Sequence, residues 1–157
     1  MSATVSVLRS EIPGVSDPAW TRFVLAMKMS EPSSVSPSRS LGMFEMTPRR
    51  LADLGLVGDL KRVQEGGRTV WSVKFCDPLT PEAFLEKPSL QYRAFATSMR
   101  EYAREIASGD IGPPVAMSRS AALAVLHRAG PSGLDSWVRG ERFPHTERAV
   151  ERAQGIF

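Results

Sequence analysis

The sequence is poor in cysteine, in histidine and in long apolar runs, and each shortage removes a class of protein. A single cysteine, Cys76, leaves no internal disulfide to form, so the fold does not depend on an oxidising compartment. Beside Asp77 and Pro78 it reads as a partly buried thiol. His127 and His145 are the only histidines, so a zinc centre would have to rest on carboxylates, and the sequence clusters none. Neither a metal nor a cofactor is expected. No stretch approaches about eighteen consecutive apolar residues, so no membrane span is expected. Residues 1–15 lack a charged segment followed by an apolar one and do not read as a secretory leader.

What is present fits one ordinary domain. A chain of 157 residues can bury a core without staples, and 42% apolar with 24% charged residues is globular composition. The net charge of +3 favours anionic partners. The basic residues Arg49, Arg50, Lys61, Arg62, Arg100, Arg104, Arg139 and Arg142 are spread rather than gathered, so nucleic acid is not the expected partner.

Hydrophobic spacing predicts a mainly α (α+β) chain: an arm over residues 1–15, then one domain over residues 16–157. Ser16 caps a helix in which Trp20, Phe23, Val24 and Met27 share one face. Pro32 disfavours helical geometry before it, so this helix is expected to reach Ser30 or Glu31. A Ser/Pro loop follows, with Pro37 and Ser38 in it. Thr47 caps a short helix opened by Pro48, with Leu51 and Leu54 facing inward and Gly55 ending it. The β-branched and aromatic run Arg68 to Phe75, behind Glu65-Gly66-Gly67, predicts one small hairpin beginning near Lys61. Thr80-Pro81 opens another short helix. The longest helix spans Ser89 to Ser108, with Tyr92, Phe95, Met99, Tyr102 and Ile106 on its buried stripe and Gly109, then Pro113-Pro114, beyond it. Ser118 starts a helix carrying Leu123 and Leu126 to Gly130-Pro131. A shorter helix holds Leu134 and Trp137, and a last one begins after Pro144.

The candidate chemistry lies at Glu31. A carboxyl at a helix C-terminus faces the negative end of the dipole, and Trp20, Met27, Met43 and Phe44 could desolvate it. Both effects favour a protonated carboxyl, able to act as a general acid, although by spacing alone a solvated helix-end carboxylate is the commoner case. Trp71 and Trp137 could stack on sugar faces, although aromatics flanked by Val73 and Leu134 are more often core.

The stretch Val35-Ser36-Pro37-Ser38-Arg39-Ser40-Leu41-Gly42-Met43-Phe44-Glu45-Met46-Thr47-Pro48 resembles the Val-Ser-Pro-x-Gly-Ala-x-Gly-Leu-Met-Gln-Leu-Met-Pro segment of the soluble lytic transglycosylase and goose-type lysozyme families. In these families the catalytic Glu shortly precedes that segment, and Glu31 falls in the corresponding place with a shorter loop between. Leu126-His127-Arg128-Ala129-Gly130-Pro131 resembles their Ala-Tyr-Asn-Ala-Gly-Pro, and Phe143 to Val150 resembles a late Pro-Tyr-Pro-Glu-Thr-Arg segment. The three segments occur in the right order.

The resemblance implies a lysozyme-like domain with a long central helix, acting on peptidoglycan glycan strands. Glu31 would protonate the bond between N-acetylmuramic acid and N-acetylglucosamine. Glu45 stands where the families keep Gln, as the second carboxylate of a hydrolase or as a plain loop residue. Gly42, Met43 and Phe44 would line the sugar cleft, Gly42 because glycine lets a ligand approach the main chain. His127 and Arg128 replace Tyr-Asn and would donate to substrate. Ala149 replaces a late Tyr that contacts the acid, a role Tyr102 or Tyr92 could take over. With no leader read at the start, delivery by a phage or phage-like tail is the expected route, its tail proteins the partners, the virion the location and the periplasm or cell wall the place of action. The alternatives are an inactive lysozyme-like structural or wall-binding component of such a particle and, third, a helical basic domain that binds nucleic acid.

Overall fold

The computed structural model of the protein describes residues 6–36, 39–112 and 117–157. The sequence readings at Pro37, Ser38, Pro113 and Pro114, and over residues 1–5 of the arm, lie outside the described residues. Among those described, the elements are α1 (Asp17–Met27), α2 (Pro48–Asp53), β1 (Val57–Glu65), β2 (Arg68–Phe75), α3 (Pro81–Glu86), α4 (Pro88–Ser108), α5 (Arg119–Val138) and α6 (Pro144–Ala153). About half the chain is helical and the two strands form one antiparallel hairpin, so the fold is mainly α with a small β element, as its periodicity predicts. No helix among the described residues is long and apolar enough to cross a membrane.

The structure divides into two compact units. One comprises Met1–Met27 and Met99–Phe157, the other Lys28–Ser98. The described part of the arm belongs to the first unit. The Leu8 N–H donates to Thr21 Oγ1 at 2.8 Å, the Ser10 N–H to Asp17 Oδ1 at 2.8 Å, and Ile12 and Val15 are buried.

In the first unit, Ser16 caps α1 by accepting from the Ala19 N–H, and Trp20, Phe23, Val24 and Met27 are all buried. The end of α1 is tied to α6, where Arg152 Nη1 donates to the orphan carbonyl of Ala26. Ser118 caps α5, whose Leu123 and Leu126 are buried. At Gly130, with φ 71° and ψ −178°, the helical path breaks before Pro131, and the second segment buries Leu134 and Trp137, as the Gly-Pro pair predicts. The chain end packs back on α5 and α1. Ser120 Oγ donates to the Ala153 carbonyl at 2.6 Å and accepts from the Phe157 N–H, and the Phe157 ring meets Phe23 edge-on at 5.3 Å. Ser120→Ala leaves a buried carbonyl and an amide short of partners and is expected to lower stability by about 1–3 kcal/mol, measured by urea unfolding.

In the second unit, Thr47 caps α2 through the Arg50 N–H, Pro48 sits in its first turn and Leu51 is buried. The hairpin is longer than its sequence signal. β1 begins at Val57, and a register irregularity between Gly58 and Lys61, with Asp59 at φ 50°, hides the first residues from any simple alternation. Cys76 is exposed rather than partly buried; its backbone N–H donates to Leu56 O and its carbonyl accepts from the Leu79 N–H.

Candidate functional site

Helix α1 stops at Met27 and does not reach Glu31. The reason is a competitor that local spacing does not reveal. The N–H groups of Met29 and Ser30 both donate to the Met43 carbonyl, at 2.9 and 3.2 Å, so the backbone leaves the helical path before Pro32 can act. Glu31 therefore lies outside α1 in the chain, past its last residue Met27. It is also exposed, so the desolvation expected from Trp20, Met27, Met43 and Phe44 is absent, each of the four being itself buried. Among the described residues no hydrogen bond or ion pair engages its carboxylate, while its carbonyl accepts from the Ser34 N–H at 3.0 Å.

The loop after Glu31 is a small meander held by main-chain bonds. Val35 and Leu41 form one antiparallel bridge, Leu41 and Met46 another. The Ser36 N–H donates to Ser40 O, the Gly42 N–H to Ser34 O, and Leu41 and Met46 exchange both of their bonds. Arg39, at a positive φ of 68°, is ion-paired with Glu65 at the end of β1.

Gly42, Met43, Phe44 and Glu45 form the turn between the last two legs of the meander. Its inner side is closed by Gln91, from the first turns of α4, which is 0% exposed. Gln91 Oε1 accepts from the Met43 N–H at 2.9 Å, and Nε2 donates to Pro32 O at 2.8 Å and to Phe84 O at 2.9 Å. A Cβ on Gly42, whose φ is 79°, would stand 2.3 Å from Gln91 Oε1. The close approach that demands glycine at 42 is thus made by the protein's own amide, where the sequence suggested a sugar. Met43 is buried, and Phe44, at 0% exposure, stacks on Phe95 with centroids 4.3 Å apart and planes within 6°. These three residues hold the loop's shape from inside.

Glu45 is half-buried, at a positive φ of 50° uncommon for a glutamate, and Oε1 accepts from Ser30 Oγ at 2.7 Å. The seryl group one residue before Glu31 therefore holds the second candidate carboxylate. Glu31 and residues 42–45 share one hydrogen-bonded loop system within the second unit.

Of the remaining candidates, His127, Arg128, Tyr102 and Ala149 belong to the first unit. His127 is buried on α5, Arg128 beside it is half-buried, and Tyr102 on α4 is buried. Ala149 on α6 is fully buried. Tyr92, the other aromatic considered for a supporting role, is half-buried and falls in the second unit. Of the tryptophans, Trp137 is buried under the Arg142 guanidinium, 4.0 Å from its ring centre, and half-buried Trp71 carries Arg62 at 5.1 Å.

Two residues that hold the site are not among the candidates the sequence offers. Ser30 gives no local signal, because its partner lies fifteen residues away. Gln91 does give one: it stands one helical turn before Phe95, on the buried stripe, together with Ser98, which accepts from Arg50 Nε at 2.7 Å. A polar side chain on a buried stripe must find partners, and those partners mark a packed loop. No protein-family model, no curated protein and no solved structure matches this chain.

Proposed function

We propose that the protein cleaves peptidoglycan glycan strands at the bond between N-acetylmuramic acid and N-acetylglucosamine, with Glu31 as general acid. The observation that carries this reading is the loop from Glu31 to Pro48. Its sequence resembles the signature of lytic transglycosylases and goose-type lysozymes, and its described residues form a hydrogen-bonded frame beside the exposed Glu31, whose carboxylate has no partner among the described residues. Glu31 gives its proton to the glycosidic oxygen, the bond from the muramoyl C1 breaks, and the oxocarbenium-like centre that develops needs an acceptor. In a transglycosylase the 6-hydroxyl of the same sugar attacks C1, closes a 1,6-anhydro ring and returns its proton to Glu31. In a hydrolase water attacks and Glu45, held by Ser30, takes the proton. Because Glu31 is exposed in the free protein, the bound strand itself must exclude water from it. A phage-like tail is the delivery route that goes with this reading, and its tail proteins are the partners.

A second reading, a non-cleaving wall-binding or structural component of a phage-like particle, is favoured by specific observations. Gln91 occupies the space above Gly42, and Arg128 and Ala149 stand where the related families keep Asn and Tyr. Zymography on purified peptidoglycan separates the two. Clearing by the wild type that Glu31→Gln loses supports cleavage; absence of clearing, or equal clearing by both, rules out Glu31 as the acid.

A further inference from the structure

We propose that Gln91 is the positioning residue of the Glu31 site, its one carboxamide fixing the main chain next to the acid and the turn against which the acid is set. The inference rests on the reading of Glu31 as the acid. The geometry is a closed ring around one residue. Before Glu31, the N–H groups of Met29 and Ser30 donate to the Met43 carbonyl. After it, the Pro32 carbonyl accepts from Gln91 Nε2 at 2.8 Å, and Gln91 Oε1 accepts from the Met43 N–H at 2.9 Å. Both main-chain polar groups of Met43 and both ends of the Gln91 amide are therefore used to bracket the short span Ser30 to Pro32.

The ring is anchored on rigid structure. Gln91 is fully buried in a helix that runs from Pro88 to Ser108, and its second donor bond, to Phe84 O at 2.9 Å, stops the amide from turning over. Turning it would set a carbonyl oxygen against Pro32 O and Phe84 O and an NH₂ against the Met43 N–H, so one orientation satisfies every group and the other satisfies none. The fit also explains Gly42, the only residue type that leaves room for this amide. The backbone of Glu31 is thus held on both sides, while its exposed side chain has no partner among the described residues. A general acid must meet the glycosidic oxygen within hydrogen-bond reach, so this bracketing sets the rate of the chemical step more than the binding of the strand.

Gln91→Met keeps length and bulk and removes all of these bonds. The full-length variant is expected to lower kcat on solubilised glycan strands on the order of 100-fold, with KM within about twofold. A merely structural role would lower the melting temperature and leave kcat per folded molecule unchanged. A readout independent of cleavage is carbon-13 NMR of protein labelled at the glutamate carboxyls, with Glu31→Gln assigning the Glu31 line. Gln91→Met is expected to move the Glu31 line while those of Glu147 and Glu151 on α6 stay in place. A folded Gln91→Met protein with an unmoved Glu31 line and unchanged kcat overturns the proposal. If the wild type cleaves nothing, the cleavage reading fails on that result alone, and the Glu31 line still decides whether Gln91 positions it. If Gln91→Met does not fold, hydrogen exchange of the wild-type Met43 amide decides: protection as deep as that of Phe95 in α4 supports the clamp, and exchange at the free rate overturns it.

Discussion

Glu31→Gln is expected to slow release of soluble fragments from purified peptidoglycan by about 10²- to 10⁴-fold, the usual worth of a positioned general acid. The substitution isolates the proton. Glutamine has the shape of glutamate, the loop's bond at this residue runs through its backbone carbonyl, and the side chain is exposed, so among the described residues no hydrogen bond is lost with the carboxylate. The melting temperature is accordingly expected to stay within about 1 °C of wild type, surface changes of this kind being small. Glu45→Gln divides the two chemistries. A hydrolase that uses Glu45 as base loses most of its rate, whereas a transglycosylase, which needs one carboxylate, keeps it. The amide at position 45 can still accept from Ser30 Oγ, so the turn itself is preserved.

Phe44→Ala is expected to destabilise the protein by about 3–5 kcal/mol, the range for removing a buried aromatic ring. Phe44 is fully buried, and its parallel stack on Phe95 adds to the loss from burial alone. The neighbouring backbone cannot close the gap. Met43 is bound at both its N–H and its carbonyl, Leu41 and Met46 are paired, and Gly42 is packed against Gln91, so the turn keeps its shape around the cavity. Chemical denaturation of the folded protein measures the change. Cleavage is expected to fall with the folded fraction and no further, because Phe44 lies beneath the loop; a loss of activity in protein shown to be folded would place Phe44 in the substrate cleft after all.

How much of this was legible in the sequence differs between the starts and the ends of elements. Ser16, Thr47 with Pro48, Thr80 with Pro81, and Ser118 each mark a helix start, because a cap bonds to an N–H about three residues on and both partners are in view together. The end of α1 was not legible, since Met43, well downstream, claims the N–H groups that would have continued the helix. The first part of β1 was hidden for a similar reason: Asp59 at a positive φ breaks the alternation on which strand reading depends. On α4 the stripe ran close to its expected path, with Phe95, Met99 and Tyr102 buried. Its N-terminal end turns on Gln91 rather than on half-buried Tyr92, a polar residue that a hydrophobic pattern discounts.

The site was legible as a segment and not as a geometry. Glu31 and residues 42–45 do share one loop system, yet the exposure of Glu31 and the burial of Gly42 to Phe44 follow from bonds made by Met43 and Gln91 across the fold of the loop. Glycine at 42 shows the limit well. The sequence says that something must pass close to the main chain there, and only the structure says that it is an amide of the same protein.

The most direct test of cleavage by Glu31 is mass spectrometry of the soluble fragments released from purified peptidoglycan by the wild-type protein and by Glu31→Gln. New chain ends from the wild type alone are expected, as 1,6-anhydro-muramoyl termini for a transglycosylase or reducing termini for a hydrolase. No new ends from the folded wild-type protein, or the same ends from both proteins, would contradict it.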